Sequence, residues 1–239
     1  VAEGLVRPNH VLAMDSGITG GPIEGERTRE PAFGLEAWWI DPALQSRAES
    51  LNFTVVDPTS VVATHITEIV KRHAPELLTR SEVSNLIEGV KQHAPKVVED
   101  LVPGVVKLGE VQKILQNLLR ERVPIRDMET VLEAIGDWAP KTKDLDVLTE
   151  YVRHALRRTI CRLYAQPDDR GTDRLVCVTL DPQFEDQIAA YIDRGPAGAT
   201  LTMPARVTSA TAEHIMESLQ RVTERGHHPV VIAPPQVRA

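Results

Sequence analysis

Aromatic side chains are scarce in this chain. Three Trp, three Tyr and three Phe make up 4% of its 239 residues, so any core must rest on Val, Leu, Ile and Ala. Cysteine is scarcer still. Cys161 and Cys177 stand 16 positions apart, which is neither a CxxC redox pair nor a zinc spacing. Two thiols are also too few for a secreted disulfide framework, so a reducing compartment is expected. No run of 18 apolar residues occurs, which excludes a bilayer-spanning helix in this stretch. Basic residues are in deficit: 27 Lys and Arg face 34 Asp and Glu, for a net charge of −7. No basic stripe is present to track a phosphate backbone, so nucleic acid is not an expected partner. An initiator Met and a signal peptide are lacking as well. The chain opens VAEGLV and closes PPQVRA, and reads as a piece of something longer.

What is present divides into three regions. A composition of 42% hydrophobic and 26% charged residues is ordinary for a globular protein, and the length suits two or three compact subdomains. In the first region, 10–14 (HVLAM) and 37–40 (AWWI) read as strands, with Trp38 and Trp39 on opposite faces by alternation. A Gly-rich polar loop, 15–30, lies between them. Asp41-Pro42 opens a short helix to Ser50, and 51–56 (LNFTVV) is a β-branched and aromatic strand. Asp57 stands at an N-cap position and Pro58 in the first turn of a helix. That helix carries Val61, Val62, Ile66, Ile69 and Val70 on one face. Phe33 sits between two backbone punctuators, Pro31 and Gly34. A ring placed that way either plugs a core or lines a surface groove, and local sequence leaves both open.

From about residue 75 the pattern is helical. Thr79 and Glu82 fit a capping box ahead of Val83, Leu86, Ile87 and Val90. Pro95 interrupts, and a stripe of Leu108, Val111, Leu115, Leu118 and Leu119 follows. Asp127 caps a helix faced by Met128, Val131, Leu132 and Ile135. One helix then runs from about Asp144 to Tyr164. Short helices with tight turns predict a compact bundle. The remainder alternates: a linker at 167–172, a strand at 174–180 with Cys177 in its core, a helix from Pro182, a break at 195–198, a helix at 208–225 and a strand at 229–233. That order suits a small α/β subdomain. The predicted fold class is therefore α+β with several subdomains: a small α/β insert, a central helical bundle and a C-terminal α/β subdomain.

Chemistry-bearing patterns are thin. GxxxxGK[ST], HExxH and GxSxG are all absent. His65, Glu68 and His73 share one helix, but two turns separate the histidines and the expected reading is solvent-exposed helix positions. No cofactor and no metal is expected. A hydrolase or transferase hidden in the C-terminal region would rest only on its strand–helix order and the pair His227-His228, which fold-level analogy does not carry. The run Arg120-Glu121-Arg122 is a candidate self-association contact, against the plainer reading of a solvated turn.

Four stretches carry a resemblance: 30–40 (EPAFGLEAWWI), 53–70 (FTVVDPTSVVATHITEIV), 99–144 (EDLVPGVV through APKTKD) and 148–156 (LTEYVRHAL). They resemble the cytoplasmic region of the FHIPEP family, the type III protein export gates of bacterial flagella and of virulence-type injectisomes. Within them, PAFGLEAWWI and EDLVPGVV look more flagellar. The resemblance implies a non-enzymatic docking platform on the cytoplasmic side of the inner membrane, in a full protein with further membrane helices. It also implies four subdomains: 1–8 with 58–77 from the first, 9–57 as an inserted second, 78–157 as a helical third and 158–239 as a fourth. Implied partners are flagellar export chaperones with their substrates, other export-apparatus proteins with the export ATPase complex, and copies of itself in a nine-fold ring. The implied chaperone-binding residues are Glu30, Phe33 and Thr64, with Phe33 as an apolar anchor rimmed by the other two. Glu30 stands where the flagellar pattern has Asp.

Overall fold

The computed structural model describes residues 6–15, 17, 20–168, 170–195, 198–227 and 229–238. The chain is an α+β protein that divides into two compact units, residues 1–77 and 78–239.

The first unit is built on an antiparallel sheet of four strands: β1 (Val11–Met14), β2 (Glu26–Arg29), β3 (Glu36–Ile40) and β4 (Thr54–Val56), in the order β2-β3-β1-β4. Helix α1 (Gln45–Ser50) packs on one face and α2 (Pro58–Leu77) on the other. Because strand side chains alternate, both faces of β3 are used. Trp39 joins Leu12, Ala37 and Val61 of α2. Trp38 turns the other way and meets Phe53 edge to face, with ring centres 5.7 Å apart. Strand β2 lies inside the stretch expected to be a loop. Its sequence, ERTR, has no apolar alternation because it is an edge strand, held by pairing to β3 and by the ion pair of Arg27 with Glu36. Gly25 permits that pairing, since a Cβ there would stand 2.7 Å from the Trp39 carbonyl oxygen.

The second unit begins with the bundle: α3 (Arg80–Lys91), α4 (Pro95–Leu101), α5 (Leu108–Arg120), α6 (Met128–Trp138) and α7 (Leu145–Ala155). Pro95 does more than interrupt: it opens α4 at the first helical position. Caps sit where short polar side chains precede the apolar periods. Thr79, Asp127 and Asp144 accept from the backbone N–H groups of Glu82, Thr130 and Asp146. The core is continuous and aliphatic, with Val111, Ile114, Leu115, Leu118, Leu132 and Ile135 fully buried. Each such side chain contributes about 1.5–3 kcal/mol.

The single helix expected over 144–164 is broken at Leu156 into α7 and α8 (Arg157–Tyr164). Leu156 leaves helical geometry at φ −80° and ψ 6°, and the Arg157 guanidinium donates to the freed His154 carbonyl at 3.0 Å. Beyond it come β5 (Gln166–Pro167), β6 (Asp173–Arg174), β7 (Cys177–Thr179), α9 (Pro182–Ala189), β8 (Ile192–Gly195), β9 (Gly198–Leu201), α10 (Ala205–Thr223), β10 (Val230–Ile232) and α11 (Pro235–Arg238). The expected linker is a tight β5–β6 hairpin, closed by Asp168 accepting from the N–H groups of Arg170 and Thr172. The expected break at 195–198 falls between β8 and β9, which pair antiparallel, and its residues 196 and 197 lie outside the described residues. Strand β7 pairs in parallel with β10. Among the described residues after Leu156 none is buried. Cys177, expected in a strand core, is exposed in a sheet of only two strands.

Candidate functional site

The site residues named from sequence fall in the first unit, on the turn between β2 and β3 and on α2. Phe33 is 63% exposed. It is not core filler. It sits at the crest of a turn running from Glu30 to Leu35, whose ends are joined by the Glu30 N–H donating to the Leu35 carbonyl at 2.9 Å. Gly34 has φ +74°, a conformation that a side chain would strain.

Glu30, expected on the rim, is buried. It is 3% exposed. Its Oε1 accepts from the Ala32 N–H at 2.8 Å and its Oε2 from the Phe33 N–H at 2.6 Å. Its carbonyl accepts from the Gly34 N–H at 2.9 Å. One residue thus satisfies three successive backbone donors. A buried carboxylate would be costly alone, but bonded to oriented N–H groups it becomes the structural support of the turn.

Thr64 is exposed on α2. The helix starts where Asp57 accepts from the Ser60 N–H at 3.0 Å. The Asp57 carboxylate also accepts from the Ser60 hydroxyl, and these bonds, the hydroxyl first, hold it below the ordinary carboxylate range. The next residue after Thr64 is His65. Expected as a solvent-exposed helix position, it is half-buried, and its Nδ1 lies 3.1 Å from the Pro31 carbonyl oxygen. A carbonyl only accepts, so Nδ1 carries the proton. His65 thus ties α2 to the turn that bears Phe33, a role with no local sequence signal because the partner is a backbone oxygen 34 positions away. Glu68 pairs with Lys71 and His73 with Glu76. Among the described residues no three His, Cys, Asp or Glu side chains are placed to share a metal ion.

Further along α2, Ile66, Ile69, Val70 and Leu77 are exposed. No helix among the described residues is long and apolar enough to cross a membrane.

The second unit holds cavities of about 680 Å³ and about 520 Å³. The first is lined by Glu133, Asp137, Trp138, Tyr151 and His154, with Trp138 and Tyr151 stacked at 3.6 Å. The second is lined mainly by aliphatic side chains such as Leu180, Ile192 and Ile215. Of the pair His227-His228, His227 is exposed and His228 lies outside the described residues. The charged run at 120–122 is not uniformly solvated, since Glu121 pairs with Arg153 and Arg238.

An exposed aromatic ring on a hydrogen-bonded turn thus stands beside a helix with exposed apolar residues, in an α+β protein of two compact units. The chain belongs to the FHIPEP family, whose pattern matches residues 1–239. It is 36% identical over 238 residues to the flagellar biosynthesis protein FlhA of Bacillus subtilis, a match covering 100% of this chain and 35% of that protein. It is 39% identical over 232 residues to FlhA of Escherichia coli, covering 97% of this chain and 32% of that protein. The chain therefore spans about a third of the length of these relatives. Among solved structures, the nonameric SctV-C of EPEC has the same fold, with a TM-score of 0.72, 24% identity, and coverage of 97% of this chain and 68% of that one.

Proposed function

We propose that this chain is part of the cytoplasmic docking platform of a flagellar type III protein export gate, and that the Phe33 turn binds chaperone–substrate complexes. The observation that carries the reading is the 63% exposure of Phe33 on a turn held by the buried Glu30. Leaving a large apolar ring in water serves no packing purpose, and aromatic anchors of this kind dominate protein–protein binding energies. A chaperone helix or linker would lay its apolar side chains against the ring, in the helix-in-groove mode. Thr64 belongs to the rim. Glu30 acts through the backbone it holds.

In the full protein we read 1–8 with 58–77 as part of a first subdomain, 9–57 as an inserted second, 78–157 as the third and 158–239 as the fourth. The uncovered side of α2 fits a helix that packs against more of the first subdomain. A nine-fold ring beneath a membrane-embedded gate, open to other export-apparatus proteins and the ATPase complex, is the proposed setting. The likeness to nonameric SctV-C supports the ring. Identities of 36–39% to flagellar relatives, against 24% to SctV-C, favour a flagellar gate over an injectisome gate.

The test is Phe33→Ala in the full-length protein's cytoplasmic region, titrated calorimetrically with a flagellar chaperone–filament-subunit complex. Loss of a central aromatic anchor predicts weakening by about 30-fold, with an unchanged melting temperature. Unchanged affinity would overturn the reading.

A further inference from the structure

We propose that His65 is a positioning residue of the Phe33 docking site, setting where the ring stands relative to Thr64; this rests on the docking reading above. The turn from Glu30 to Leu35 is closed on itself. Glu30 supplies acceptors to the N–H groups of Ala32, Phe33 and Gly34, and its own N–H goes to Leu35. These bonds fix the shape of the turn, and the Arg29–Glu36 pairing of β2 with β3 anchors its base. The Pro31 carbonyl points out of this closed set. His65 Nδ1–H takes it at 3.1 Å, and His65 stands on α2 directly after Thr64.

Phe33 and Thr64 reach the same site from elements 31 positions apart in sequence. A partner that touches both must find them at a fixed separation. The sheet brings β3 and α2 to a common core through Trp39 and Val61, but neither of those residues belongs to the turn. The His65 bond acts on the turn itself. Its loss would leave the ring and the Glu30 bonds intact while letting the turn tilt, so the partner would have to order it on binding. Pre-organisation of this kind appears as affinity, beside the modest stability of the one bond.

The experiment uses three variants of the full-length protein's cytoplasmic region: His65→Ala, His65→Asn and Phe33→Ala. The Asn side-chain amide presents an N–H close to where the Nδ1–H stands. Affinity for a flagellar chaperone–filament-subunit complex is read by calorimetry, and amide exchange at Ala32 and Phe33 is read without partner. The expected result for His65→Ala is about fivefold weaker binding, the value of one lost hydrogen bond. Its exchange at Ala32 and Phe33 should be faster, and its melting temperature close to that of the parent. His65→Asn should recover binding to within about twofold. Parent-like affinity in His65→Ala, while Phe33→Ala loses binding, overturns the positioning role and leaves the docking reading standing. Equal losses in His65→Ala and His65→Asn, with parent-like exchange, also overturn it, because the ring would then be touching the partner directly. Parent-like affinity in Phe33→Ala overturns the docking reading itself, and this inference with it.

Discussion

The buried Glu30 carboxylate accepts the Phe33 N–H at 2.6 Å, while the Phe33 ring stands in solvent. Charge and ring are usually partitioned the other way, with the acid outside and the ring inside. The inversion makes the acid a structural part and the ring the displayed one.

Glu30→Ala removes the acceptor of two part-buried N–H groups, those of Ala32 and Phe33. Leaving them unmatched should cost the first unit about 1–3 kcal/mol. Denaturant unfolding checks this. Glu30→Gln should cost less, since one oxygen remains. Equal stability of all three forms would mean that the turn is held by its Gly34 geometry alone.

Asp57 gives a pH dependence of known sign. Its carboxylate is held below the ordinary range by the bonds from Ser60. A lowered folded value means that the cap contributes above the unfolded carboxylate's value and is lost as pH falls through the folded one. Amide exchange at Ser60 and Val61 should therefore accelerate only as the pH falls below the ordinary carboxylate range, beyond the intrinsic pH effect. Asp57→Asn should flatten that response. An identical acid profile in the variant would assign the effect to another carboxylate.

Arg238 ties α11 to the bundle through Glu150 and Glu121, and Arg153 shares Glu121. The pairs are partly exposed, so screening keeps them modest. Arg238→Ala should cost about 1 kcal/mol, and less in high salt. A double-mutant cycle with Glu150→Gln should return a coupling energy above about 0.5 kcal/mol. Zero coupling would show that the guanidinium is held by water.

Legibility in the sequence followed the range of the physics. Apart from α4, the helices of the bundle were readable because their evidence is local: Leu115 and Leu118 recur at helical spacing, and Asp127 and Asp144 cap the amides two and three positions on. Phe33 could be located but not oriented, since Pro31 and Gly34 mark a turn without saying which side faces water. Strand β2 was hidden because an edge strand needs no apolar alternation. The role of Glu30 was hidden for a similar reason, since an acid before a proline reads as solvated until its N–H partners are seen. The break at Leu156 had no signal in an apolar periodicity that runs straight through it. His65 was misplaced because its partner is a backbone oxygen, which no residue pattern records.

The parallel pair β7–β10 also sets an order of assembly. Cys177 faces Val230 across that ladder, 53 positions away in sequence, while the bundle is made from helices joined by short turns. Closing the longer loop carries more chain entropy, and the pair brings no buried side chain to offset it early. The bundle should therefore condense first and the ladder zip up late. Pulse-labelled exchange would show α5 amides protected before those of Val230 and Val231, whereas simultaneous protection would contradict this order. The same asymmetry leaves this ladder easier to open than the bundle by a small disturbance.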